Sequence, residues 1–342
     1  MKRFFVVLLV LLAAVAMPGF TQESTLIDFS ELLADWPPDN PRDSEATLLD
    51  YSNIAGASVS AEDRELMKTS LAINNWDVEL NSSARTVLRQ GNTGVRQAVV
   101  REGASQFEGE GVMGIRVTFP TEPFNAWALV EPPFEIPAYA DVDQIQPDGT
   151  MEVPQEEQGR GRKYESKGVV KNVGVLRTVS VNVYGLNYPH AFSLIIQDEN
   201  NRTQEVFMGY LDFDGWRELT WENPNYITEV RHRELRQFPL YPQLAPMRKL
   251  VGMRVYRDGA QVGGDFISYV KDVNITYDLA TLTVERDIDD EAVWGLLQER
   301  EEARREAEIR RLGNIQVLRF LEQQRMYPGP DADNGNNANG EN

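Results

Sequence analysis

Only two histidines occur in the 342-residue chain, and neither has the neighbours that histidine chemistry requires. His190 follows Tyr188-Pro189 in a predicted turn, and His232 lies in the basic run Arg231-His232-Arg233. A metal site needs further ligands at a characteristic spacing, and a Ser-His-Asp triad needs partners that orient the imidazole. The sequence therefore predicts two loop or surface histidines without a catalytic role.

Carboxylates are the other groups that could do chemistry. Asp212-Phe213-Asp214-Gly215 begins like a calcium-binding loop, but no third oxygen ligand follows at alternate positions and no Glu closes the loop. Two well-placed carboxylates suffice for a glycosidase, and with 53 acidic residues this function stays open, although no motif singles out a pair. The glycine-rich stretch 103–114 lacks the Lys and the following helix of a phosphate-binding loop. We therefore expect no catalytic residue, no metal and no cofactor.

Composition excludes further classes of protein. The chain has no cysteine, which removes thiolate nucleophiles, zinc–thiolate sites and iron–sulfur clusters, so an ordinary hydrophobic core must hold the fold. Its 53 acidic and 34 basic residues give a net charge of −19. Nucleic acids and anionic lipids bind clustered Lys and Arg, and this surface repels them. The charge suits a cationic partner or simple solubility.

The N-terminus has the pattern of a secretory signal peptide. Met1-Lys2-Arg3 precedes the uncharged run Phe4–Ala16, which ends in the small-x-small sequence Ala14-Val15-Ala16. This run is well short of the roughly 20 apolar residues of a membrane span. We expect residues 1–16 to be removed after Ala16, which leaves an exported protein with a net charge of −21. No later segment is long and apolar enough for membrane insertion.

The segment 206–221 predicts a tight β-hairpin. Two aromatic-rich runs flank Asp214-Gly215, a pair that accepts the positive φ angles of a type I′ turn. On the other face of this hairpin we expect Phe213 to lie against Trp216, so that both faces are apolar near the turn. The expected register has three cross-strand pairs: Met208–Trp221, Tyr210–Leu219 and the ion pair Asp212–Arg217.

Short alternating runs predict strands along most of the chain. Typical examples are 114–120, 178–184, 192–197, 251–256 and 266–277, with a second hairpin turn at Asp258-Gly259. The short segment 61–71 is the one early candidate for a helix. About ten strands at this spacing favour a mainly β fold, a two-sheet antiparallel sandwich of jelly-roll type. Strand–helix alternation is lacking, which argues against a parallel α/β fold.

Two segments fall outside the predicted sandwich domain 17–288. Residues 139–167, which are rich in Glu, Gln, Gly and Pro, predict a flexible acidic insertion. Residues 289–326 predict a long C-terminal α-helix that begins at an Asp289-Asp290 cap and is supported by pairs such as Glu301–Arg305 and Glu306–Arg310. We expect its first apolar end, Val293-Trp294, to return onto the sandwich and its second, Leu312–Leu321, to pack either locally or against a neighbouring subunit. The tail 327–342 predicts disorder.

The same hairpin segment, continued by Glu222-Asn-Pro-Asn-Tyr-Ile227, resembles a signature of spirochaete flagellar filament outer-layer (sheath) proteins of the FlaA type. The resemblance recurs in order along most of the mature chain, whereas the acidic insertion and the Asn/Gly tail depart from the family pattern. The other blocks that carry it are 66–86, Pro132-Pro-Phe-Glu-Ile-Pro137, Gly263-Gly-Asp-Phe266 and Asp289-Asp-Glu-Ala-Val-Trp294.

The resemblance implies a non-enzymatic coat subunit of the periplasmic flagellum. Its implied partners are the core flagellins, other sheath subunits and further copies of itself, and its implied compartment is the periplasm. Side-on packing of a rigid sandwich should then involve the hairpin tips and the C-terminal helix. The candidate assembly contacts are Phe213, Trp216, Leu312, Ile315 and Leu318.

Two other functions are compatible with a jelly-roll sandwich. A periplasmic carbohydrate-binding module would line a concave sheet face with aromatic residues, for which Trp76, Trp127, Trp216 and Trp221 are the candidates. In strands, however, most aromatic residues belong to the core. A glycoside hydrolase on the same architecture is the third possibility. A glycan pull-down distinguishes the second function, and a hydrolysis assay the third.

Overall fold

The fold is a two-sheet antiparallel β-sandwich with one long C-terminal helix, as the sequence predicts. The computed structural model describes residues 21–136, 167–228, 246–280 and 293–326. The predicted signal peptide with its cleavage site at Ala16, residues 139–166 of the acidic insertion, the Asp289 cap, His232 and the tail 327–342 lie outside the described residues. They therefore stay predictions.

Two six-stranded sheets form the sandwich. Sheet I has the order β12-β9-β14-β6-β5, with β1 also paired to β14, and sheet II has the order β11-β10-β13-β7-β4, with β8 also paired to β13. A small separate sheet joins β2 to β3. The strands are β1 (Thr21–Asp28), β2 (Leu49–Asp50), β3 (Lys68–Thr69), β4 (Asp77–Leu80), β5 (Gly94–Val99), β6 (Gly111–Phe119), β7 (Ala126–Glu131), β8 (Val169–Lys171), β9 (Val173–Leu186), β10 (Ala191–Asp198), β11 (Thr203–Tyr210), β12 (Asp214–Glu222), β13 (Met247–Arg257) and β14 (Gly264–Leu279).

Alternating side chains of the two sheets meet in one continuous core. In β9, Val179, Val181 and Val183 are fully buried, and Leu194 of β10 and Met253 of β13 meet them from sheet II. Since successive side chains of a strand point to opposite faces, the residues between them form the outer faces of the sandwich. The alternation predicted for β6, β9 and β14 is confirmed by this burial pattern. Strands β10 and β13 form as predicted, but Phe192–Ile196 of β10 are all buried and the alternation of β13 is interrupted.

The segment 206–221 does not form the predicted hairpin. Strand β11 pairs with β10 in sheet II and β12 pairs with β9 in sheet I, so Leu211–Phe213 carry the chain from one sheet to the other. Leu211 and Phe213 are buried and fill the space between the sheets at this crossing. The three predicted cross-strand pairs, Met208–Trp221, Tyr210–Leu219 and Asp212–Arg217, are therefore wrong.

The second predicted hairpin turn, at Asp258-Gly259, is also wrong. Asp258-Gly259 follows β13 but leads to β14 in the opposite sheet, so it is not a hairpin turn either. A hairpin that the structure does contain joins β10 to β11. Its turn is built by Asp198, whose Oδ1 accepts hydrogen bonds from the backbone N–H groups of Asn200 and Arg202.

Helices are few among the described residues. The early helix is shorter than predicted, since α1 spans only Ala61–Glu65 and the chain then enters β3. The short helix α2 spans Val87–Gly91, and the long helix α3 spans Leu296–Met326. At 31 residues, α3 is about 46 Å long. No described helix combines the length and the apolar character that crossing a bilayer requires.

Candidate functional site

Helix α3 docks on the sandwich through the second half of its length. Val317 and Phe320 pack against a small apolar cluster of Tyr51, Ala55 and Met67, which is separate from the main core. Leu312, one turn earlier, packs against the main core itself. Within residues 312–320, the side chains that pack against the sandwich thus lie on one face of the helix, as in an amphipathic helix.

Polar contacts fix the same half of the helix. Glu135 bridges helix and sheet, because its Oε1 accepts a hydrogen bond from Lys249 Nζ (2.5 Å) and its Oε2 accepts one from Arg311 Nη2 (2.6 Å). Burial opposes the ionisation of Glu135, but these two bonds and the two positive charges hold its pKa below the ordinary value. Further along, Arg319 donates to Asp77 Oδ2 (2.6 Å). The last contact is from Gln324 Nε2 to Asp63 Oδ1 (3.1 Å).

A glycine allows the helix to approach this closely. Gly313 is buried, and a Cβ atom at this position would come within 2.9 Å of Ile54 Cγ1 and 3.1 Å of Ile54 Cβ. Both distances are well inside van der Waals contact. Any larger residue at position 313 would force either the helix or Ile54 to move.

The first half of helix α3 extends away from these contacts. Every described side chain from Leu296 to Arg310 is exposed, over a length of about 22 Å. The expected pair Glu306–Arg310 is present (3.1 Å). Val293 and Trp294, just before the helix, are 63% and 69% exposed. The expectation that this first end returns onto the sandwich is therefore wrong, and the second end docks instead.

The five predicted assembly residues lie in different environments. Phe213 is 6% exposed, so in this conformation it packs inside its own subunit, beneath the guanidinium of Arg217 (4.1 Å). Trp216 lies on the outer face of sheet I between Phe107 and Tyr184, not against Phe213. Leu312 contacts the core of its own subunit. Ile315 and Leu318 are 48% and 62% exposed, so they stay candidates for a contact with a neighbour.

Side chains of four adjacent strands form the outer face of sheet II, here called the sheet II face. The register places them in cross-strand rows, because paired residues of neighbouring strands lie side by side. The first row is Tyr210, Ala191, Tyr256 and Trp127, the second is Phe207, Ser193, Arg254 and Leu129, and the third is Glu205, Ile195 and Gly252.

A network of paired polar groups holds the centre of the sheet II face in place. Glu205 accepts hydrogen bonds from Arg254 Nη1 (2.8 Å) and from the Tyr256 hydroxyl (2.7 Å), and so bridges over Ser193 of the intervening strand. The Arg254 guanidinium also lies 4.8 Å from the ring centre of Trp127. This cation–π contact and the two hydrogen bonds leave the side chains little rotational freedom.

A β-bulge brings two aromatic side chains to the edge of the sheet II face. The register between β10 and β11 shifts at Phe192/Ser193, and Gly209 there has a φ of 143°, which side chains rarely tolerate. Because of the extra residue, Phe207 and Tyr210 both point outward, with exposures of 49% and 55%. The two rings pack edge to face at 5.5 Å. This pair was not predicted from the sequence, although a glycine inside a strand is a signal for a bulge.

The tryptophans proposed for glycan binding do not share a face. Trp76 is buried and donates to the Leu71 carbonyl, and Trp221 packs against the main core. Trp127 and Trp216 lie on the outer faces of opposite sheets. The aromatic row that this alternative requires is therefore not formed by these four residues.

His190 lies in the loop between β9 and β10, as one of the two expected placements has it, but it is buried and not on the surface. It is 3% exposed among Phe119, Tyr188 and Phe266. Burial, together with the positive charge of Arg257, lowers its pKa to about 4, so the imidazole is neutral in the folded protein. Within the part of the chain that the structure describes, no group of three or more His, Asp or Glu side chains is arranged to hold a metal ion.

The family that matches this chain and two of its relatives carry the same description. The sequence profile of the family described as flagellar filament outer layer protein FlaA matches residues 40–286. The flagellar filament outer layer protein of Spirochaeta aurantia is 44% identical over 333 residues, which cover 97% of this chain and 96% of that protein. The protein of the same name from Treponema pallidum is 44% identical and covers 93% of each chain.

Among solved structures, a carbohydrate-binding module in complex with β-1,4-galactotriose is similar at a TM-score of 0.27 and 10% sequence identity. The match covers 59% of this chain and 88% of that one. A likeness at this level has no bearing on function.

Proposed function

Because the chain belongs to the flagellar filament outer layer protein family, we propose that it is a structural subunit of the coat around a periplasmic flagellar filament. The observation that carries this proposal is the 44% identity to outer layer proteins along almost the whole chain. The matched residues span both sheets and the helix, so the likeness is not confined to one part of the fold.

The architecture suits a coat subunit. One continuous core makes the sandwich a stiff body, and the docked half of helix α3 fixes the direction in which the other half extends. Subunits of this kind can pack side by side along a filament while the helices bridge between them. A layer of stiff subunits increases the bending stiffness of the filament and biases its curvature, which alters how the rotating filament deforms the cell.

The partners in this proposal are the core flagellins, other sheath subunits and further copies of the chain, and the compartment is the periplasm. The signal peptide predicted for residues 1–16 supports export. The role is mechanical and non-enzymatic, as the family description of an outer layer protein suggests.

Deletion of the gene followed by imaging of the purified filaments tests the proposal. We expect thinner filaments with altered curvature, and restoration of both when the full chain is expressed again. A complementing chain without residues 1–16 should not restore them, because it should not leave the cytoplasm. N-terminal sequencing of the filament-associated protein should begin at Met17. Filaments of unchanged diameter and curvature in the deletion strain would rule out the coat function.

A further inference from the structure

The sheet II face has the composition of a protein-binding surface. It presents Trp127, Tyr256, Phe207, Tyr210 and Arg254 in adjacent positions. Trp, Tyr and Arg are the residues that most often dominate the binding energy of protein interfaces. The central side chains are already fixed by hydrogen bonds, so binding would cost little further side-chain entropy.

Most charges on this face are compensated within the subunit. On the face itself Glu205 pairs with Arg254, and beside it, on the outward side of the neighbouring strand β4, Asp77 pairs with Arg319 and Glu79 with Arg85. Covering paired charges costs less desolvation than covering unpaired ones. On a chain with a net charge of −19, a charge-balanced face with exposed aromatic residues is therefore suited to contact with another protein.

Glu131, at the end of β7, is the exception. No hydrogen bond or ion pair joins it to another described residue, although it is half-buried beside Gly252. Burial and the nearby carboxylates of Glu79 and Asp77 raise its pKa, and the positive charge of Arg254 offsets only part of this effect. A half-buried carboxylate in this situation is stabilised by any cation that reaches it.

A cavity of about 340 Å³ opens at Glu131. Gln197 also lines it, and its Oε1 atom is buried without a hydrogen-bond partner. Lys249 and Glu135 line it as well, but Glu135 is paired with both Lys249 and Arg311, so the Glu131 carboxylate is the acceptor left for a ligand. Pro132, Phe134, Ile136 and Val251 supply apolar walls. This combination accommodates a basic side chain, with an apolar stem against the walls and N–H groups directed to the Glu131 carboxylate.

We infer that the sheet II face is the surface by which this subunit docks on a different, less acidic protein of the filament, one of whose Lys or Arg side chains enters the cavity at Glu131. The inference rests on the proposed function and names the face that makes the contact. A second copy of the chain fits less well, because it carries the same net charge of −19 and two such chains repel each other.

The test uses the full-length chain, secreted and purified, and filaments from the deletion strain as the probe. Filament co-sedimentation over a range of protein concentrations gives the affinity, and sedimentation velocity gives self-association. Two variants address the inference: Phe207→Ser with Tyr210→Ser, which removes the exposed aromatic pair, and Glu131→Lys, which places a positive charge at the cavity. Glu131→Gln serves as the milder variant if Glu131→Lys does not fold.

Each variant has a matched control elsewhere on the surface. Val87→Ser with Leu88→Ser removes two exposed apolar residues of helix α2, which are 95% and 75% exposed. Glu218→Lys makes the same charge change on the outer face of sheet I. Thermal melts establish that every variant is folded before binding is compared.

We expect about a tenfold or greater loss of filament affinity for each sheet II variant and less than about twofold for the controls. The affinity of the wild-type chain should fall with added salt, and this dependence should be shallower for Glu131→Gln. Wild-type chain that does not bind coat-free filaments would overturn the proposed function and this inference with it. Wild-type binding that both sheet II variants retain would overturn only the inference. A loss confined to self-association would show that the partner is a second copy and would also overturn it.

Discussion

Replacement of Gly313 by alanine tests whether helix α3 is docked as described. In a free helix this change stabilises, because alanine exceeds glycine in helix propensity by about 1 kcal/mol. In the docked helix the new methyl group meets Ile54, at 2.9 Å from Cγ1 and 3.1 Å from Cβ. Rotation of the Ile54 side chain moves Cγ1 but leaves its Cβ in place, so either the helix or the backbone at Ile54 also has to shift.

Overpacking of this kind costs about 1–3 kcal/mol, from which the gain in propensity is subtracted. We therefore expect Gly313→Ala to lower the free energy of unfolding by up to about 2 kcal/mol. The neighbouring Asn314 is exposed, so Asn314→Ala gains propensity without a clash and should be neutral or slightly stabilising. Ile54→Ala removes Cγ1 and leaves only the 3.1 Å contact with Cβ, so it should relieve most of the clash and give a favourable coupling of about 1–3 kcal/mol in the double-mutant cycle.

Urea denaturation of the four chains of the cycle measures these differences, and limited proteolysis within residues 296–326 reports release of the helix. If Gly313→Ala stabilises as much as Asn314→Ala does, and shows no coupling to Ile54→Ala, the docked position of helix α3 is wrong.

Three further predictions concern other parts of the molecule. His190 has a pKa of about 4 in the folded state and 6.5 ordinarily, so between these values the unfolded chain binds a proton that the folded chain does not. The free energy of unfolding should therefore fall by about 3 kcal/mol as the pH decreases from 6.5 to 4. Urea titrations at several pH values measure this dependence, and His190→Phe should remove it. The same pH dependence in His190→Phe as in the wild type would contradict the role of His190. Gly215 has a φ of 94° and open space where a Cβ atom would stand. Gly215→Val should therefore lower the free energy of unfolding by about 1–2 kcal/mol through backbone strain alone. The control Thr220→Val, in the same strand, should melt like the wild type. Truncation after Arg311 removes Val317 and Phe320, which cover the cluster of Tyr51, Ala55 and Met67. The sandwich should still melt cooperatively, with a lower midpoint of thermal unfolding and increased binding of a hydrophobic dye. A midpoint equal to that of the full chain would contradict the docking of the helix.

The sequence by itself determined the class of the fold and the strands of its core. Alternation is a property of each strand alone, so Val179, Val181 and Val183 could be assigned to a buried face without knowledge of their partners. The long C-terminal helix was predictable for the same reason, because helical periodicity and the Glu–Arg pairs are local.

Strand pairing was decided only by the tertiary structure. A two-residue hairpin and a crossing between two sheets both connect alternating strands, so Val206–Trp221 is compatible with either. Only the burial of Leu211 and Phe213 between the sheets distinguishes them, and that burial depends on strands far away in the sequence.

The candidate surfaces likewise depended on the tertiary structure. Both ends of helix α3 are apolar, and the local pattern cannot tell which end finds the cluster of Tyr51, Ala55 and Met67. The sheet II face is assembled from β7, β10, β11 and β13, and its outward aromatic pair depends on the bulge at Gly209. A local pattern fixes which side of an element is buried, but only the packing of distant elements fixes what lies on either side of it.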